Sequence, residues 1–123
     1  MQRKSNIRWA GRIIRRNREV GYDRRIQNEI RLALADTCVI FRGNVGTGCT
    51  KDGRYFSTGL PKGFTDLFGF RKSDGKAVFI EVKTPNGRPS AEQKKFLNTM
   101  RKYGVIAGIC RSKEDALNLI KGD

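Results

Sequence analysis

Three residues whose types and spacing could do chemistry stand close together in this chain. Asp66 closes the run Gly63-Phe64-Thr65-Asp66, and Glu81 and Lys83 lie two positions apart in Phe79-Ile80-Glu81-Val82-Lys83. Both runs read as β-strands, and Lys72-Ser73-Asp74-Gly75 between them is a hairpin signal. Side chains alternate along a strand, so Asp66 shares a face with Phe64, Phe68 and Phe70, and Glu81 and Lys83 share one with Ala77 and Phe79. A two-residue turn at Asp74-Gly75 sets Asp66 opposite Lys83; one at Ser73-Asp74 sets it opposite Glu81. Either register brings Asp66, Glu81 and Lys83 onto one face with Cβ atoms about 4.5–8 Å apart, whereas a three-residue loop would need a bulge to do so. Two carboxylates at that spacing, with the backbone carbonyl of Val82 beside them, predict an oxygen cage for a divalent metal such as Mg²⁺. Such an ion lowers the pKa of a bound water and offsets charge developing on a phosphate. Lys83 would hold the attacking water or steady the phosphate oxygens. The ordinary alternative is a trio of surface salt bridges; E-x-K is common by chance, but its combination with the preceding strand acid is not.

The setting of these residues is strongly basic. Lys and Arg number 26 against 12 Asp and Glu, a formal charge of +14, which favours a polyanionic partner, most commonly nucleic acid. The 123 residues contain no histidine. That excludes Ser-His-Asp triads, HNH-type nucleases and His-ligated zinc, and leaves oxygen-held Mg²⁺, Mn²⁺ or Ca²⁺. Cys38, Cys49 and Cys110 are scattered and odd in number, which argues against a disulfide framework and a zinc site. The longest apolar runs, such as residues 105–110, fall far short of the roughly 20 residues of a membrane helix. No apolar h-region follows the basic N-terminus, so no signal peptide and an intracellular protein are expected.

Which elements must position the trio? Residues 1–20 read as a basic arm with Trp9, Ile13 and Ile14 among arginines, and residues 21–123 as one domain. From Tyr22 to Ala35 the pattern is helical, with Tyr22, Ile26, Ile30, Ala33 and Leu34 as the apolar stripe. Glu29 sits on its edge, where it either serves the site or pairs with Arg25. Residues 37–42 predict a strand, and the glycine-rich stretch 43–63 a long loop that lacks the G-K-[ST] ending of a phosphate-cradling P-loop. Strands are expected over 64–71 and 76–84. Ser90-Ala91-Glu92-Gln93 reads as a capping box opening a helix to about Tyr103, so Gln93 has a structural use as well as a possible catalytic one. A buried strand over 105–110 and a helix over 112–120 complete the order α-β-β-β-α-β-α.

The order Glu29, Asp66, Glu81, Lys83, Gln93 resembles the PD-(D/E)xK nuclease superfamily. The string from Glu81 to Gln93 is more specific, since it resembles the E-V-K-x-P-x-G-x-x-S-x-x-Q of the VRR-NUC branch, the virus-type replication–repair nucleases. The likeness covers roughly residues 22–112, and Thr65 departs from it where the superfamily name implies proline. The resemblance implies a single α/β domain, a restriction-endonuclease-like α-β-β-β-α-β core with a mixed central sheet flanked by helices. It implies that Asp66, Glu81 and the Val82 carbonyl, with Glu29, hold Mg²⁺ or Mn²⁺. It further implies that Lys83 is catalytic and that Glu29 and Gln93 support the bound water and the lysine. Small domains of this branch, often from phages, are similar to dimeric nucleases that resolve four-way (Holliday) junctions. A homodimer acting on branched DNA, in a bacterial cytoplasm if phage-encoded, is therefore the expectation. A flap-type or less specific nuclease and a non-catalytic basic nucleic-acid-binding module are the alternatives.

Overall fold

The computed structural model describes residues 21–122; the basic arm expected at 1–20 lies outside them. Helix α1 (residues 21–34) buries Ile26, Ile30 and Leu34, an i, i+4, i+8 row on one face. Tyr22, expected in that row, is exposed instead, with the Arg25 guanidinium 5.1 Å from the centre of its ring. Five strands follow: β1 (Cys38–Arg42), β2 (Thr47–Cys49), β3 (Tyr55–Ser57), β4 (Leu67–Arg71) and β5 (Ala77–Val82). Then come α2 (Ala91–Lys102), β6 (Ile106–Cys110) and α3 (Lys113–Lys121).

The main sheet has the order β1-β4-β5-β6. β1, β4 and β5 are antiparallel neighbours, and β6 runs parallel to β5. A parallel partner needs a crossover, and α2 supplies it. On one face Leu67, Val78, Ile80 and Val82 meet Ile26, Ile30 and Leu34 of α1 and Ala116 and Ile120 of α3 in a continuous core. On the other, Phe64, Phe68, Phe79 and Phe96 form a cluster with ring centres 5.3–5.9 Å apart; Phe96 is brought there by α2. The mixed sheet with helices on its two faces is the α/β architecture expected. Among the described residues no helix is long and apolar enough to cross a membrane.

Two expectations need correction. The strand predicted over 64–71 begins only at Leu67, although Phe64 still places its ring in the cluster. The loop predicted over 43–63 holds a separate two-stranded sheet, β2 paired with β3. Its strands are three residues long, and Gly48 interrupts the first of them, so they are too short for a period of two to stand out from a glycine-rich background.

The β4–β5 hairpin pairs Leu67 with Ile80 and Phe68 with Phe79, and one step further sets Asp66 opposite Glu81. This is the second of the two registers weighed, but the turn is wider than either. Arg71 N–H donates to the Lys76 carbonyl at 2.8 Å and Gly75 N–H to the Arg71 carbonyl at 2.7 Å. Residues 72–75 form the loop, with Gly75 at φ +74°, a value costly for any side chain. Within it Asp74 grips Arg71 (Nη2–Oδ2 2.6 Å), while Arg71 Nη1 donates to the Ile120 carbonyl at the end of α3 (2.6 Å). That double hold explains why Asp74 lies inside the loop.

Candidate active site

The β4–β5 ladder ends at the candidate site. Asp66, one residue before β4, accepts the Val82 N–H on Oδ2 at 2.9 Å, and its own carbonyl accepts the Gly43 N–H at 2.7 Å. Thr65 is fully buried and donates its hydroxyl to the Leu67 carbonyl at 2.9 Å. The bend into β4 is thus fixed by a side-chain bond at the position where the superfamily name implies proline. Because N–H and C=O of a strand residue point to the same side, the Val82 carbonyl faces the Asp66 side of the strand.

Glu81 is a carboxylate in a buried place, 2% exposed. Its Oε2 receives Lys83 Nζ at 3.2 Å and Gln93 Nε2 at 3.0 Å. Its Oε1 is buried with no hydrogen-bond partner. Burial first, and then the neighbouring Asp66 carboxylate, push the Glu81 acid up to about 8, with Lys83 pulling the other way. A buried acid beside another acid, with one oxygen unsatisfied, is the arrangement a divalent cation relieves. The residues therefore fit Mg²⁺ or Mn²⁺, held by Asp66, Glu81 and the Val82 carbonyl. Among the described residues no third acid, cysteine or histidine joins them in a metal-holding cluster, so water and substrate oxygens would complete the shell, as is usual for Mg²⁺.

Gln93 uses both ends of one amide. Ser90, the N-cap of α2, accepts the Gln93 N–H on Oγ at 3.1 Å, and Gln93 Oε1 accepts the Ser90 N–H at 2.8 Å. Its Nε2 is left to donate to Glu81. The two readings of Gln93 are one geometry. Gly63 lets α2 come this near: it is buried at φ +94°, and a Cβ there would lie 2.6 Å from the Glu92 carbonyl oxygen.

The structure does not bring Glu29 to this place. Glu29 is exposed, and α1 presents Asp23, Arg24 and Gln27 to the cleft that Asp66 and Gln93 line. Helical phase is the reason: at about 100° per residue, Asp23 and Gln27 fall on one flank of the Ile26–Ile30 row and Glu29 on the other. Asp23 and Gln27, spaced i, i+4, were legible as a polar pair bordering the stripe but were not singled out. Arg42, at the end of β1, lines the same cleft. Arg111 was also missed. Its Nη1 donates to the carbonyls of Thr84 (2.6 Å) and Gly87 (2.7 Å), clasping the turn that follows Lys83.

A mixed sheet whose central hairpin ends in Asp66, Glu81 and Lys83 has the make-up of a PD-(D/E)xK nuclease domain. The family model of the VRR-NUC domain matches residues 48–114, more than half of the chain, and the chain belongs to that family. A solved structure described as a VRR-NUC domain superposes with a TM-score of 0.58 at 22% identity, covering 81% of this chain and 95% of that one; it shares the fold. No protein of curated function matches.

Proposed function

We propose that the protein is a Mg²⁺- or Mn²⁺-dependent DNA endonuclease that hydrolyses phosphodiester bonds in branched DNA, working as a homodimer. Membership of a nuclease family supports DNA as the substrate. The observation that carries metal dependence is Glu81, a buried acid beside Asp66 with one oxygen unsatisfied. When bound there, the ion would supply an acidified water and a counter-charge for the phosphate under attack. The chain's own residues do the rest. Asp66 and Glu81 hold the ion's position, and Gln93 orients Glu81 from the helix side. Lys83, half-buried and anchored on Glu81, presents its ammonium where a phosphate oxygen gathers charge. Arg24, Arg42 and Lys62 on the cleft wall draw the DNA backbone in.

Branched DNA and a dimer rest on charge and symmetry. A surface carrying +14 binds several duplex arms at once, and paired cuts across a four-way junction need two sites related by a two-fold axis. The deciding experiment incubates labelled linear duplex, flap and four-way junction with the protein in Mg²⁺, Mn²⁺ or EDTA, beside Asp66→Asn, with light scattering for the mass. Symmetric paired nicks from a dimer are expected, absent in EDTA and in the variant. A monomer that cuts flaps and ignores junctions would move the protein to the flap-nuclease reading, and cutting by Asp66→Asn at the wild-type rate would remove the site.

A further inference from the structure

The β2–β3 hairpin carries side chains that the core does not explain. Tyr55 is 71% exposed and Phe56 47%, yet they are neighbours on a ribbon that forms its own sheet. Adjacent strand residues face opposite ways, and their surroundings differ. Phe56 has an intramolecular use: it pairs with Gly48, and a Cβ on Gly48 would lie 2.8 Å from its ring, so the ring covers the glycine. Tyr55 pairs with Cys49 on the other face and keeps its ring in solvent.

The tip beside Tyr55 is built and basic. Thr50 N–H donates to the Arg54 carbonyl at 2.8 Å, and Arg54 N–H to Thr50 Oγ1 at 3.0 Å. Asp52 holds the Arg54 guanidinium (Nη2–Oδ2 3.0 Å), which cancels the acid and leaves Lys51 exposed at the turn. Both ends of the ribbon return to the cleft: Asn44 and Val45 before it, and Lys62 and Phe64 after it, line the wall shared with Asp66. The hairpin therefore rises from the rim of the candidate active site.

The geometry points to the β2–β3 hairpin as a reader of unpaired bases, with Tyr55 stacking on a base exposed at a branch and Lys51 meeting the adjoining phosphate. This rests on the DNA-cleaving reading above and adds to it the feature that selects branched over intact duplex. An intact duplex keeps its base faces inside the stack and offers only their edges in the grooves, so an upright aromatic ring has a partner only where a base is unpaired. The cations beside the ribbon, Lys51 at its tip and Lys62 on the cleft wall, match a phosphodiester backbone, and a contact between copies at this face is the outcome that the mass measurement below tests.

The test is binding in EDTA, which separates it from cutting. Two fluorescein-labelled probes share one sequence: a duplex with a single-stranded flap, carrying 2-aminopurine as its first unpaired nucleotide, and the same duplex fully paired. Tyr55→Ala should weaken flap binding about tenfold or more and duplex binding less than about twofold. Tyr55→Phe should keep wild-type affinity, and only proteins with an aromatic ring at 55 should quench the 2-aminopurine. Equal losses on both probes, or quenching unchanged in Tyr55→Ala, would overturn the assignment. So would a fall in the mass of Tyr55→Ala by light scattering, which would make the ribbon a contact between copies. If wild type stacks the flap base but cuts nothing in Mg²⁺, the nuclease reading fails and the hairpin's role stands.

Discussion

Gln93 donates to Glu81 Oε2 at 3.0 Å from the same amide that closes the N-terminal cap of α2. Helix start and buried acid are therefore one assembly, and substitutions can separate the two contributions.

Ser90→Ala removes the cap hydroxyl and leaves Gln93 beside Glu81, so it should lower stability by about 1 kcal/mol with cleavage largely kept. Gln93→Ala removes the cap contact and also the donor to a buried carboxylate, at a further cost of about 1.5–3 kcal/mol, and should lose cleavage as well. Thermal melts and single-turnover rates of the pair check this. Equal rates in both variants would leave Gln93 a capping residue alone.

Lys83→Ala should lower turnover by about 10²–10³ while DNA affinity changes little, because one cation among 26 is a small part of binding. Arginine should rescue poorly, since a planar fork does not fit where a compact ammonium meets Glu81. Anisotropy beside cleavage rates reads both; parallel losses would mark Lys83 as a plain phosphate contact.

Gly63→Ala should shift the start of α2. The new methyl would meet the Glu92 carbonyl, in a backbone region that L residues rarely adopt. A loss of about 1–3 kcal/mol is expected from the backbone alone. Because α2 carries Gln93, the activity remaining at a temperature where the variant is folded should fall too. Unchanged activity would mean that Gln93 does not have to keep its place.

Glu81 sets a pH signature for the metal-free protein. Its acid is raised from 4.5 to about 8 by burial and by Asp66, so the fold favours the neutral form. That contribution is fully present below about 4.5 and is lost as pH rises through about 8. In EDTA, the melting temperature of wild type should fall relative to Glu81→Gln across that window. Asp74 has the opposite sign: Arg71 holds its acid down to about 2, so its share is present above about 3.8 and is lost as pH falls through about 2. A flat difference between wild type and Glu81→Gln would show that Glu81 is ionised throughout.

The part of the site carried by the β4–β5 hairpin and its two ends was legible in the sequence, because a period of two leaves few choices. Asp66, Glu81 and Lys83 follow from alternation around one hairpin, and the remaining ambiguity was the turn, settled by Asp74 reaching Arg71 within a four-residue loop. The helical part was harder. A stripe fixes which face of α1 is buried but not which flank meets the cleft, so Glu29 was favoured where the structure presents Asp23 and Gln27. The β2–β3 ribbon was hidden because its strands are short and Gly48 breaks the pattern that Phe56 then covers. Arg111 left no local signal, since its partners at Thr84 and Gly87 are distant in sequence.

The clasp of Arg111 has a mechanical consequence. Lys83 N–H donates to the Cys110 carbonyl at 3.1 Å, and Arg111, the very next residue, ties down the carbonyls just beyond Lys83. The lysine's backbone is thus bolted on both sides to the neighbouring strand and to the residue that follows it. On the nuclease reading the mount is set before any DNA arrives, so a phosphate that reaches Glu81 meets an ammonium whose backbone has no adjustment left to make.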